Sequence, residues 1–196
     1  MDFPTFLSKV RPAGFVPPPI LLALDPGETT GYALFIHGEL KEVRQLKTKT
    51  VKEFATLFQN IDRYATLDPN LPDPCSFIAD GPRYSRPTMV VYEDYKVYSW
   101  KADAHAWASL HTPKAIGALQ CLATLYDIPL YTQMAQQAKG FCTDVKLQEW
   151  GYYKPGLKHA RDAIRHGCFY LLHNFVPDKE FGSQGLPDVA HFNGNL

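Results

Sequence analysis

The chain has 196 residues, 45% of them apolar and 20% charged, a composition that suits one ordinary globular domain and excludes a coiled coil or a wholly disordered chain. Lys plus Arg and Asp plus Glu are equal at 20 each, which excludes a polybasic nucleic-acid binder, so any such binding must come from local charge. The N-terminal apolar stretch is broken by Pro17, Pro18 and Pro19, Asp2 stands where a signal peptide would be basic, and Cys75, Cys121, Cys142 and Cys168 have neither zinc-knuckle nor disulfide spacing, so a cytoplasmic protein without a membrane segment is expected.

Residues 1–19 combine Phe3, Phe6 and Phe15 with several prolines and little periodicity, and read as an extended arm whose aromatics dock on a neighbouring surface. The stretch Ile20 to Gly38, ILLALDPGETTGYALFIHG, reads as two neighbouring strands. The first is an apolar run that ends in Asp25, where Pro26 and Gly27 stop it. The second, from Gly31, turns at His37-Gly38. Leu40 to Leu46 alternates charged and apolar residues as an antiparallel third strand with one wet face, completing a meander. Val51, Phe54, Ala55, Phe58, Ile61 and Ala65 recur at helical spacing over Lys49 to Ala65. Residues 68–86 are proline-rich and loop-like, with Ser76 to Ala79 as a brief strand candidate.

Thr88 to Glu93, TMVVYE, is a second buried strand that ends in acids, Glu93 and then Asp94. Thr112 and Pro113 read as N-cap and first residue of a helix that runs to Tyr126. Ile128 to Thr132 follows as a strand, completing a parallel strand–helix–strand unit. Ala135 to Phe141 is expected to form one or two helical turns, and Cys142 to Pro155 an aromatic loop. Leu157 to Phe175 carries an apolar helical face beside a polar stripe of His159, Asp162 and His166. From Pro177 the chain reads as a polar tail. The fold class is therefore α/β: a mixed sheet of a three-stranded antiparallel meander plus two parallel strands, flanked by helices, in a domain over 20–176 between the arm (1–19) and the tail (177–196).

Asp25 and Glu93 end buried strands, and Asp162 lies on a helix that must pack on the same sheet. Convergence would set like charges together at about 4 kcal/mol per close pair for an effective dielectric near 20, which calls for a cation. Oxygen ligands with room for water suit Mg²⁺, with Mn²⁺ as a substitute, better than zinc. Two such ions could activate a water and stabilise the leaving oxygen of a phosphodiester, with His159 completing the second position or orienting the water. Taken singly, Asp25 could equally start a turn, Glu93 could be a surface charge, and His159 and Asp162 read better as solvated helix residues. His166 reads as structural or phosphate-facing. Lys139, Lys146, Lys154, Lys158, Arg161 and Arg165, interleaved with Trp150, Tyr152 and Tyr153, form a cationic stretch suited to phosphate contact and base stacking. Thr29 and Thr30 are candidates for contact with the strand being cut.

LALDPGETTGYALF resembles the first catalytic strand and hairpin of the RuvC-type Holliday-junction resolvases of the RNase H-like superfamily. VVYEDY resembles their second acidic strand, and IPLYTQMAQQAKG followed by HARDAIRHGCFYLL is similar to their later strand, Lys-bearing segment and final acidic helix. The resemblance implies an RNase H-like fold and a homodimeric endonuclease that cuts branched DNA, four-way junctions above all, with no small-molecule cofactor. It implies that Asp25, Glu93 and Asp162 bind metal, that His159 falls where the family has an acid or a histidine, and that Lys139 approaches the scissile phosphate. Many members carry an aromatic wedge after the second acid. Here Tyr95, Lys96 and Tyr98 occupy that stretch, with either tyrosine as the candidate. The arm and tail depart from the family pattern and suggest a phage-encoded member working in the host cytoplasm. Alternatives are a flap, fork or RNA–DNA hybrid nuclease of the same superfamily, a non-catalytic branched-DNA binder, and an actin-like ATPase or sugar kinase.

Overall fold

A computed structural model describes residues 1–48, 50, 52–53, 87–95 and 111–173. Its sheet has five strands: β1 (Ile20–Asp25), β2 (Thr29–Ile36), β3 (Glu39–Lys47), β4 (Met89–Glu93) and β5 (Leu130–Gln133). They lie in the order β3-β2-β1-β4-β5. β1 pairs antiparallel with β2 and β2 with β3, while β1–β4 and β4–β5 are parallel. The mixed sheet expected from the sequence is present. Of the helix expected over 49–65 only 50 and 52–53 are described, with 52–53 helical, and the loop over 68–86 and the tail from 177 lie outside the described residues.

β1 is the middle strand and every one of its residues is buried, because both faces of the sheet are covered. Ile20, Leu22 and Leu24, with Val90 and Tyr92, pack against Ala115, Leu119, Leu122 and Ala123 of α2 (His111–Leu125). Leu21, Ala23, Met89 and Val91 point the other way, onto Ala163, Ile164 and Cys168 of α5 (Lys158–His173). A strand shows alternate residues to opposite faces. Asp25 and Glu93 therefore continue the odd-numbered rows of β1 and β4 and belong to the α5 face.

Three expectations are corrected. Residues 3–10 form helix α1 (Phe3–Val10), capped by Asp2, whose side chain accepts from the Thr5 backbone N–H at 2.9 Å. Pro4 falls in the first turn, where a helix tolerates it, and burial of Phe3 against Trp150 (ring centroids 5.0 Å apart) anchors the element. The stretch after Cys142 is not all loop: α4 (Asp144–Glu149) follows α3 (Ala135–Phe141), capped by Thr143 and buried at Leu147. His111 is already helical, so Thr112 lies inside α2 rather than capping it. No helix among the described residues is long and apolar enough to cross a membrane.

Burial pushes the Tyr152 and Tyr170 phenols up to about 12. An unfolded tyrosine ionises near pH 10, so between about pH 10 and 12 the unfolded chain binds fewer protons than the native one. Stability must then fall as pH rises. Melting temperature measured from pH 8 to 11 should be flat at first and drop above pH 10, with tyrosinate absorbance appearing at the unfolding transition.

Candidate active site

Strand register builds the site. Asp25 pairs with Gly31, and Gly31 with Gln45. On the other side Leu24 pairs with Tyr92, so one further step sets Asp25 beside Glu93, and Glu93 pairs with Gln133. Directly paired residues share a face, which yields one row across the sheet: Gln45, Gly31, Asp25, Glu93, Gln133. Above it runs α5, whose His159, Asp162 and His166 project from one side at spacings of three and four.

Each contact follows from that crossing. His159 Nδ1 donates to Asp25 Oδ2 at 2.7 Å. The backbone N–H groups of His159 and Ala160, in the unsatisfied first turn of α5, donate to Gln45 Oε1 at 2.7 and 3.3 Å. Gln45 thus caps α5 from the far edge of the sheet. Gly31 makes the approach possible, because a Cβ there would overlap the His159 carbonyl group. His166, fully buried, contacts Glu93 Oε2 through Nε2 at 3.0 Å and Gln133 Oε1 through Nδ1 at 2.9 Å. Lys139 bridges two acids, with Nζ 3.0 Å from Glu93 Oε2 and 3.1 Å from Asp162 Oδ2. Arg165 holds the other oxygen of Asp162 and also binds Asp144.

Burial first, and then the charge of Glu93, raises the Asp25 carboxyl above its ordinary value despite the His159 bond. Burial opposes ionisation of Glu93 as well, but hydrogen bonds from His166 and Lys139 outweigh it and hold this carboxyl below its usual range. Lys139 would be lowered by burial, yet Glu93 and Asp162 keep its ammonium above the ordinary value. Glu93 and Asp162 thus have cations beside them, whereas Asp25 has one histidine and feels its acidic neighbour.

Asp25, Glu93 and His159 open on a cavity of about 440 Å³, lined also by Thr29, Tyr95 and Thr112. Among the described residues no three His, Cys, Asp or Glu side chains are gathered as a metal cage. Of the four metal ligands expected from the sequence, Asp25, Glu93, His159 and Asp162, the structure pairs Asp162 with Lys139 and Arg165, and His159 with Asp25. The Asp25–Glu93 pair nonetheless fits a hydrated Mg²⁺, which commonly takes one or two carboxylates and fills its remaining positions with water and substrate phosphate.

The remaining candidates divide. Thr29 and Tyr95 line the cavity. Thr30 is fully buried, and its hydroxyl is used inside the loop after Asp25, accepting from the Gly27 N–H and meeting Thr48, so it shapes the loop and cannot touch a ligand. Lys146 lies over the Phe141 ring, and Arg161 stacks on Tyr153 while donating to the Lys154 carbonyl. Lys158 is exposed at the start of α5. Lys96 and Tyr98 lie outside the described residues. Much of the cationic stretch is thus committed within the chain, because its partners arrive from neighbouring turns and strands. Sequence spacing misses Gln45, Gly31 and Gln133 as parts of the site, and only strand register or a nonlocal contact exposes them.

No family model and no curated relative matches the chain by sequence. Among solved structures, Thermus thermophilus RuvC in complex with a Holliday-junction substrate superposes with a TM-score of 0.54 at 17% identity, over 78% of this chain and 92% of that one. A structure of T. thermophilus RuvC described without substrate gives 0.51 at 16% identity, over 78% and 93%. The yeast mitochondrial Holliday-junction resolvase Ydc2 gives 0.44 at 12%, over 86% and 84%, too distant to add to the comparison. At these identities the likeness is one of fold, and it spans nearly the whole of RuvC. The chain has the RNase H-like fold in the form found in RuvC.

Proposed function

We propose that this chain is a metal-dependent endonuclease that hydrolyses phosphodiester bonds in four-way DNA junctions. The observation that carries the proposal is the sheet row that brings Asp25 and Glu93 side by side at an open cavity, in a chain that folds as a junction-bound RuvC does. Mg²⁺, or Mn²⁺ in its place, would be held by Asp25 and Glu93 and would neutralise developing charge and activate a water. A second ion would draw on His159 and Asp162 once they leave their present partners.

While His159 stays on Asp25, it gives the water a proton acceptor instead of holding an ion. With Nδ1–H donated to Asp25, the neutral ring keeps its lone pair on Nε2. Asp25 fixes that tautomer and the ring's orientation. Lys139 offsets the charge of Glu93 and Asp162 until a phosphate arrives to share its ammonium. Thr29 and Tyr95, on the cavity wall, and Lys158, exposed at the start of α5, are the DNA contacts best supported by position. Lys146 and Arg161 serve the phosphate backbone only if they give up their aromatic partners.

A four-way junction has two-fold symmetry, so two matched cuts call for a C2 homodimer. Four-way junction, flap, RNA–DNA hybrid and linear duplex of common sequence, offered with Mg²⁺, separate the alternatives. The junction should be nicked fastest and in pairs. Preferential cutting of the hybrid or the flap would assign the related nuclease activity instead, and tight junction binding without any nick would assign a scaffold.

A further inference from the structure

The sequence reads His166 as structural or phosphate-facing, and the chemistry at Asp25 does not use it. It nevertheless occupies the most enclosed polar position of the site. His166 is 0% exposed and Gln133 2% exposed, and burial of two polar side chains is favourable only when they are bonded. Among the described residues the contacts of Glu93, from His166 and from Lys139, end on Oε2. Glu93 also lines the cavity, and Oε1 is the oxygen these contacts leave to it.

The ring can make only one arrangement as a neutral imidazole. Glu93 accepts, so Nε2 must carry the hydrogen, and Nδ1 is then an acceptor that needs a donor. Gln133 provides one. Its Nε2 is buried without a partner among the described residues, and a half-turn of the amide sets that NH₂ on Nδ1 while keeping the same 2.9 Å contact. The order Gln133, His166, Glu93 is then a one-way chain of donors that begins on β5, passes through α5 and ends at the tip of β4.

We propose that His166, backed by Gln133, is the positioning residue for Glu93: it pins Oε2 from inside the core so that Oε1 faces the cavity in one orientation. The inference rests on the metal-dependent reading of the site and names the residues that give the Asp25–Glu93 pair its affinity. Second partners of this kind commonly set metal affinity by 10–100-fold. A surface carboxylate without such a partner would sample several rotamers and bind weakly.

The test is Mn²⁺ affinity by electron paramagnetic resonance of the free ion, on the full chain without DNA. Wild type, His166→Leu, His166→Gln and Gln133→Leu are compared, each checked for fold by circular dichroism. His166→Leu should raise the dissociation constant about 10–100-fold. His166→Gln, whose amide can still donate to Glu93, should recover most of it. Gln133→Leu, with His166 in place but unsupported, should weaken Mn²⁺ several-fold, and it decides the matter if His166→Leu does not fold. A folded His166→Leu or Gln133→Leu with wild-type affinity overturns the inference alone. Wild-type protein that binds no Mn²⁺ overturns the metal reading and the inference with it.

Discussion

Asp25→Asn should abolish Mg²⁺-dependent nicking of a four-way junction while leaving the fold and the junction affinity in place. Asparagine has the same shape, and its carbonyl can still accept from His159 Nδ1, so the 2.7 Å contact survives. What disappears is the charge that would hold the proposed cation. A bound metal ion contributes several kcal/mol of charge stabilisation in the transition state, so the rate should fall on the order of 10³-fold. Stability should move the other way. Burial and the neighbouring Glu93 raise the Asp25 carboxyl, which means that the ionised form is unfavourable in the metal-free fold. The neutral variant should melt no lower than wild type, and without metal somewhat higher. Single-turnover nicking, thermal melting and a filter-binding isotherm on one preparation check the three parts together. Wild-type cutting by Asp25→Asn would remove this carboxylate from the mechanism.

Gly31→Ala should damage the site from the opposite side of the sheet row. The added methyl would overlap the His159 carbonyl and come within 2.5 Å of the Ala160 nitrogen, backbone atoms that cannot swing aside. The first turn of α5 must then lift, breaking the Gln45 cap and drawing the His159 ring off Asp25. Overpacking of this kind typically costs about 1–3 kcal/mol, or roughly 2–12 °C of melting temperature for a chain of this size. Activity should fall further than the stability loss accounts for, because the His159–Asp25 bond lies directly under the clash. Gly117→Ala is the control. Gly117 lies in the middle of α2, where a Cβ would meet nothing within 4 Å among the described residues, so alanine there should stabilise the helix by about 0.5–1 kcal/mol. A Gly31→Ala protein with unchanged melting and nicking would mean that α5 does not rest on β2 as described.

Both substitutions probe parts of the site that differ in how far the sequence reveals them. Asp25 and Glu93 are legible because each ends a short apolar run, and period-two alternation alone puts both on the face opposite to Leu24 and Tyr92. The polar stripe His159, Asp162, His166 is legible from helical spacing. Their meeting is not. It depends on register between strands distant in the chain, and the same register supplies Gly31, Gln45 and Gln133, which carry no local signal. The pairing of Asp162 with Lys139 is hidden for the same reason, since α3 and α5 meet only through the fold, whereas Arg165, three residues on in α5, is a partner that helical spacing offers. Charge counting over residues 139–165 treats the cations there as free for phosphate, although Lys139, Lys146, Arg161 and Arg165 face acids or aromatic rings of this chain. Helix α1 is obscured by prolines, although Asp2 as a cap and Phe3, Phe6 and Leu7 at helical spacing mark it.

The proposed function makes Asp25 and Glu93 one cation-dependent centre for cutting branched DNA. Nicking of an end-labelled four-way junction by the wild-type chain, followed as Mg²⁺ is titrated from an EDTA-treated start, is its decisive experiment. The expected result is no product without metal and a saturable rise with Mg²⁺, matched by Mn²⁺ at lower concentration. Cutting that proceeds undiminished in EDTA would contradict it.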